Sequence, residues 1–179
     1  MAYPVSLAEG ARQLRLQPDE LTDARSEEIS GFIADACGWV ERYTGHILEA
    51  RDVTEEFSGF GALELMAWPI AADAVPVMTY DAGAEEPVTI QGARLALHRR
   101  PVRVLCPLGS HWPNYHLAPK VTVTIRAGYE PTDELPGNLR RAILILVGAY
   151  DADREGGDMV AKAEETARRL CRDFRLRRV

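Results

Sequence analysis

The sequence predicts an α+β fold, mainly α: a four-helix core, a small antiparallel β insertion between helices two and three, and an extended C-terminal tail. Three observations predict it. Apolar residues recur at helical spacing in the first 50 residues and again beyond residue 136. Nine of the eleven prolines fall between residues 69 and 136, which excludes long helices there. Within that stretch "VTVTIRAG" sets Val121, Val123 and Ile125 against Thr122, Thr124 and Arg126, the period of a half-buried strand. The implied boundaries are a first helical part over 1–52, a β-rich insertion over 53–126, a second helical part over 127–167 and a basic tail over 168–179.

Each element has its own signal. "SLAEGARQLRL" opens with Ser6 and Glu9 at capping-box spacing, in which each side chain satisfies a free N–H at the helix start. Leu7, Ala11 and Leu14 lie along one side, and Pro18 stops the helix. In the second helix, Ile29, Phe32, Ile33, Ala36, Cys37, Val40 and Thr44 form a buried stripe, and Gly45 suits the left-handed end. The segments "ALELM", "PVMTY", "PVTI" and "RLALH" read as short strands, with a turn around Gly83. Helix three starts near Pro136, and Leu139, Ala142, Ile143, Leu146, Val147 and Tyr150 form its stripe. Leu144 and Ile145 lie off that stripe, so more than one neighbour must cover this helix, another subunit among the candidates. Gly156 and Gly157 break the chain before a fourth helix carrying Val160, Ala163, Ala167, Leu170, Cys171 and Phe174.

Charge is unevenly distributed. Residues 168–179 carry six Arg and one Asp, hence +5, which leaves −11 for the rest of a chain whose net charge is −6. Such asymmetry suits a tail that docks on a charged partner. Eleven carboxylates stand against three arginines between residues 19 and 56.

Several function classes are weakened by the same reading. Residues 142–150 give nine positions without a charge, whereas a membrane-spanning helix needs about 20. The N-terminal "MAYPVSLAEG" lacks the basic flank and apolar core of a signal peptide, which points to a product made in the cytoplasm. Three widely spaced cysteines, Cys37, Cys106 and Cys171, argue against a disulfide framework. No phosphate loop, His-Glu-x-x-His or Cys-x-x-Cys motif is present, so no catalytic or cofactor residues are assigned. Cys106, His111 and His116 are the best metal-like cluster, but their spacing matches no strong zinc motif and no fourth ligand is obvious, so a polar, Pro-bounded hairpin loop is the better reading.

The order of "SLAEGARQLRL", "WVERYTGH", "TIRAGYE" and "LPGNLRRAILILVGAYDADRE" resembles the head–tail connector (adaptor, or head-completion) proteins of long-tailed phages and phage-derived gene transfer agents. The resemblance spans residues 5–50 and 121–155 and rests on Tyr43-Thr44-Gly45, Ala127-Gly128-Tyr129, and Leu139, Ala142, Ile143, Leu144 and Val147. It implies a non-enzymatic subunit in the particle neck, without cofactor or metal, forming a closed ring of about twelve copies under the portal protein. The expected partners are the portal, a stopper or tail-side connector, and double-stranded DNA passing without sequence-specific contact. An acidic channel wall would repel phosphate, so carboxylates of the N-terminal half are expected to line it.

On this reading Leu170, Phe174 and Leu176 anchor the tail on the portal, and Arg172, Arg175, Arg177 and Arg178 supply charge-assisted hydrogen bonds. Ile29, Phe32, Ile33, Val40, Leu139, Ile143, Leu144, Ile145, Leu146 and Val147 form the helical core and candidate subunit packing. The alternative is a small nucleic-acid-binding protein that uses its Arg-rich end as the contact.

Overall fold

A computed structural model describes residues 4–81, 83, 86–113, 120–130 and 135–176. The described chain divides into two compact units. One joins residues 1–49 to 129–179, and the other covers residues 50–128.

The first unit is helical. Helix α1 (Leu7–Gln13) starts at the capping box: Glu9 N–H donates to Ser6 Oγ at 3.3 Å, and Ser6 N–H donates to Glu9 Oε2 at 2.9 Å. Helix α2 (Asp23–Thr44) begins at Thr22, whose hydroxyl accepts from Arg25 N–H at 3.3 Å. It ends at Gly45 with φ +67°, a conformation that costs an L side chain about 1–2 kcal/mol. Helix α3 (Gly137–Ala152) follows Pro136, which holds the cap position just outside the first turn. Helix α4 (Asp158–Cys171) returns beside α3 after the Gly156-Gly157 break and runs into a 3₁₀ turn, Arg172–Phe174.

Helix α3 is the centre of this unit. Leu139, Ala142, Ile143, Leu146 and Val147 are all 0% exposed, and Ile29, Ile33, Val40, Ala163, Ala167 and Cys171 close the core around them. Full burial contributes about 1.5–3 kcal/mol for each of the larger side chains. Gly10 lets α1 approach α2: a Cβ there would stand 2.9 Å from Ile29 Cγ2 and 3.1 Å from Ile33 Cδ1. Two ion-pair clusters tie helix ends together. Arg140 meets Glu9 at 3.0 Å, while Arg25 meets Glu28 and, at 2.6 Å, Asp151, with Arg154 joining Glu28 at 2.6 Å.

The second unit is all β. Strands β1 (Arg51–Phe57), β7 (Val121–Ala127), β3 (Val77–Tyr80) and β4 (Val88–Ile90) form a four-stranded antiparallel sheet in the order β1-β7-β3-β4. Strands β2 (Glu64–Leu65), β6 (Val102–Leu105) and β5 (Arg94–Ala96) form a three-stranded sheet in the order β2-β6-β5. Alternation sets the faces: Val121, Val123 and Ile125 are buried, while Thr122, Thr124 and Arg126 point the other way. Met78, Tyr80, Val102, Val104, Leu63 and Leu65 complete the interior.

The expected fold class needs correcting on two points. Among the described residues, seven strands in two antiparallel sheets, 19% against 41% helix, are too many for a small insertion. Strands β1 and β6 are the additions. β1 reads as polar because of Asp52, Glu55 and Glu56, yet the Glu55 carboxylate turns to accept backbone N–H groups from Met66 at 2.9 Å and Ala67 at 2.8 Å. β6 is a short strand directly after Pro101. The C-terminal segment is helical as far as Phe174 and not an extended tail from residue 168. The apolar spacing Ala163, Ala167, Cys171 continues the core face, and Glu164–Arg168 and Glu165–Arg169 pair one turn apart. Its arginines also complement the negative end of the helix dipole.

Gly10→Val is expected to destabilise the chain by about 1–3 kcal/mol, because Ile29 is fully buried and β-branched and cannot swing aside. Chemical denaturation measures it. The hydrogen bond from Ser6 N–H, foremost, holds the Glu9 carboxyl below its ordinary value, with Arg140 and Arg12 adding to it. Its stabilising effect is therefore complete above the ordinary carboxylate range and is lost as pH falls through the lowered pKa. Stability curves of the unaltered chain and Glu9→Gln should converge in acid and separate towards neutral pH.

Candidate functional site

Among the described residues, no group of three His, Cys, Asp or Glu side chains is arranged to hold a metal ion. Of the three metal-like residues, Cys106 is half-buried and its carbonyl accepts from Arg94 Nη2 at 3.2 Å. His111 is exposed, and His116 lies outside the described residues. Burial pushes the Cys37 thiol up to about 12, helped by Glu41 and Glu49, and burial alone pushes Cys171 up to about 11. Neither thiol is a nucleophile at neutral pH.

The proposed core residues come together in the helical unit. Ile29, Ile33, Val40, Leu139, Ile143, Leu146 and Val147 are buried, and Phe32 is half-buried with its ring 6.5 Å from that of Tyr150. Leu144 and Ile145 differ from them. Both are only half-buried on the outer side of α3, where they line a groove with Gln13, Gly137, Arg140 and Arg141.

The C-terminal segment lies against its own unit. Leu170 and Phe174 pack on the helical core, and the Phe174 ring meets His46 edge-on at 5.6 Å. Arg175 sits over the Tyr43 ring at 5.3 Å, and Arg168 over Trp39 at 5.8 Å while bonded to Glu164 at 2.6 Å. Arg172 is exposed and Leu176 half-buried; Arg177 and Arg178 lie outside the described residues. The sequence reading missed the surface that receives this segment. Trp39 and Tyr43 stack at 5.3 Å, and His46, nearly buried, shares a 2.7 Å hydrogen bond through Nδ1 with the Tyr129 hydroxyl. The one available signal was the aromatic spacing 39, 43, 46 at the end of α2. Contacts between an aromatic ring and a guanidinium contribute roughly 0.5–1 kcal/mol each at such exposed positions.

No protein-family model matches the sequence, and no curated protein matches it significantly. Solved structures do. The chain shares its fold with a chain in the virion of a native gene transfer agent particle, with a TM-score of 0.75 and 22% identity over 100% of this chain and 94% of that one. A chain in the neck of an empty particle, computed with C6 symmetry, gives 0.74 and 22% over 100% and 94%. In the neck of a native particle, computed with C12 symmetry, the values are 0.65 and 23% over 94% and 89%. The fold is thus that of a component of gene transfer agent particles, and both units take part in the likeness. Among the described residues no helix is long and apolar enough to cross a membrane.

Native thiol titration with a disulfide reagent is expected to count one fast cysteine, Cys106, with Cys37 and Cys171 reacting only on unfolding. Cys106→Ser should abolish the fast phase.

Proposed function

We propose that this chain is a structural, non-enzymatic subunit of the neck of a phage or gene transfer agent particle, acting as the head–tail connector, or adaptor, beneath the portal. The observation that carries the reading is the full-length likeness to chains of particle necks and virions, across both units. The C6 and C12 symmetry of those necks supports a ring of about twelve copies. The acidic balance outside the C-terminal segment supports a channel wall that lets DNA slide, since a basic wall would bind phosphate through counterion release. The partners of such a ring are the portal on one side and a stopper or tail-side protein on the other, with double-stranded DNA passing through.

The C-terminal segment is the proposed contact with the portal. Leu170 and Phe174 belong to the subunit's own packing, so the docking role falls first to Arg172, Arg175 and Leu176, with Arg177 and Arg178 beyond them. Truncation at residue 168 would remove the buried Cys171 and damage the helical unit; truncation after Phe174 spares it.

Native mass spectrometry of the chain mixed with the portal of its own particle tests the reading. About one copy per portal subunit is expected, with markedly weaker binding when residues 175–179 are removed. A full-length chain that leaves the portal unbound would overturn it. Salt-sensitive DNA binding that vanishes with the same truncation would favour the nucleic-acid-binding alternative instead.

A further inference from the structure

We infer that copies of this chain meet head to tail through a knob and a groove on the helical unit, with Met159 of one copy entering between Leu144 and Ile145 of the next. The inference rests on the ring proposed above and names its contact. The groove, about 210 Å³, lies where the end of α1 meets the outer side of α3. Its floor is apolar, from Leu144 and Ile145. Its rim is basic: Arg141 is exposed, and Arg140 is held in place by Glu9 at 3.0 Å.

The knob has the complementary chemistry. Met159, 54% exposed in the first turn of α4, is the one strongly exposed large apolar side chain among the described residues of the helical unit. The other five, Met66, Val75, Val77, Val88 and Leu108, all belong to the β unit. Asp158 precedes Met159 and Glu155 stands close by, both exposed, so the knob carries an acidic collar to face the basic rim. The backbone at the knob is fixed, because Met159 N–H donates to Asp153 Oδ2 at 3.3 Å. A methionine is unbranched and adapts to an irregular apolar slot.

Position favours a heterologous contact. The groove is on the N-terminal half of α3, and Met159 follows the tight turn at the other end of the α3–α4 hairpin. Two unlike surfaces at opposite ends of one hairpin cannot satisfy each other within a subunit pair related by a two-fold axis unless both contacts form at once. Repeated head to tail, they propagate, and a constant rotation closes them into a ring.

Charge reversal distinguishes this contact from the ring reading itself. Arg141→Glu and Asp158→Arg are made separately, checked for folding by circular dichroism, and assembled on the portal under native mass spectrometry. Each alone is expected to assemble at least about tenfold more weakly, since like charges then face each other at every contact. A one-to-one mixture of the two variants is expected to recover assembly as an alternating ring, because every contact then joins opposite charges. Met159→Ser should weaken assembly without any rescue by mixing. Single variants that assemble like the unaltered chain, or a mixture that recovers nothing, overturn the knob and groove and leave the ring standing. An unaltered chain that forms no ring on the portal overturns the ring reading, and the contact with it.

Discussion

The helical unit depends on the complete burial of one side of α3. Leu139, Ala142, Ile143, Leu146 and Val147 have no exposed surface, and every other helix is placed by what it contributes around them. α2 supplies Ile29, Ile33 and Val40, α4 supplies Ala163, Ala167 and Cys171, and α1 leans in through Gly10. The small residues on α4 matter as much as the large ones on α3. Two alanines and a cysteine let the backbones approach, so a helix of low average hydrophobicity still seals the core.

That arrangement explains why the outer side of α3 is unusual. A helix buried on one side needs only one apolar stripe, and the opposite side normally carries charge. Here Leu144 and Ile145 interrupt the charge, one turn beyond Arg140 and Arg141, the first of which is fixed by an ion pair to α1. The apolar excess visible in the sequence is thus divided by the fold into a buried part that forms the core and a half-buried part that packs on its margin and lines the groove.

Legibility in the sequence followed the physics of each element. The capping box, the α2 stripe and the glycine end of α2 were all readable, because helix signals are local and one buried face keeps the 3.6-residue period intact. The β unit was less so. β1 hides its inward Glu55 behind a polar composition, since only the fold shows that two backbone N–H groups at residues 66 and 67 claim that carboxylate. The apolar spacing to Phe174 was legible, but the six arginines over it suggested a separate extended tail from residue 168. Composition shows charge, and it cannot show that Glu164, Glu165, Trp39 and Tyr43 between them engage three of those arginines, Arg168, Arg169 and Arg175. The aromatic surface on α2 showed in the sequence only as the spacing 39, 43, 46, because the partners it meets are more than 80 residues away.

The pairing of Arg51 with Ala127 carries a consequence for how such a chain can change. The first residue of the β unit's first strand and the last residue of its last strand face each other across one antiparallel ladder, about 5 Å apart at their Cα atoms. The unit therefore begins and ends at nearly the same point, like a bead hung on a clasp. Whatever length or shape the loops and sheets beyond that clasp acquire, the helices before and after it receive the same two chain ends. Residues 52–126 can be rewritten in evolution, or exchanged in the laboratory, and the two chain ends are still delivered side by side.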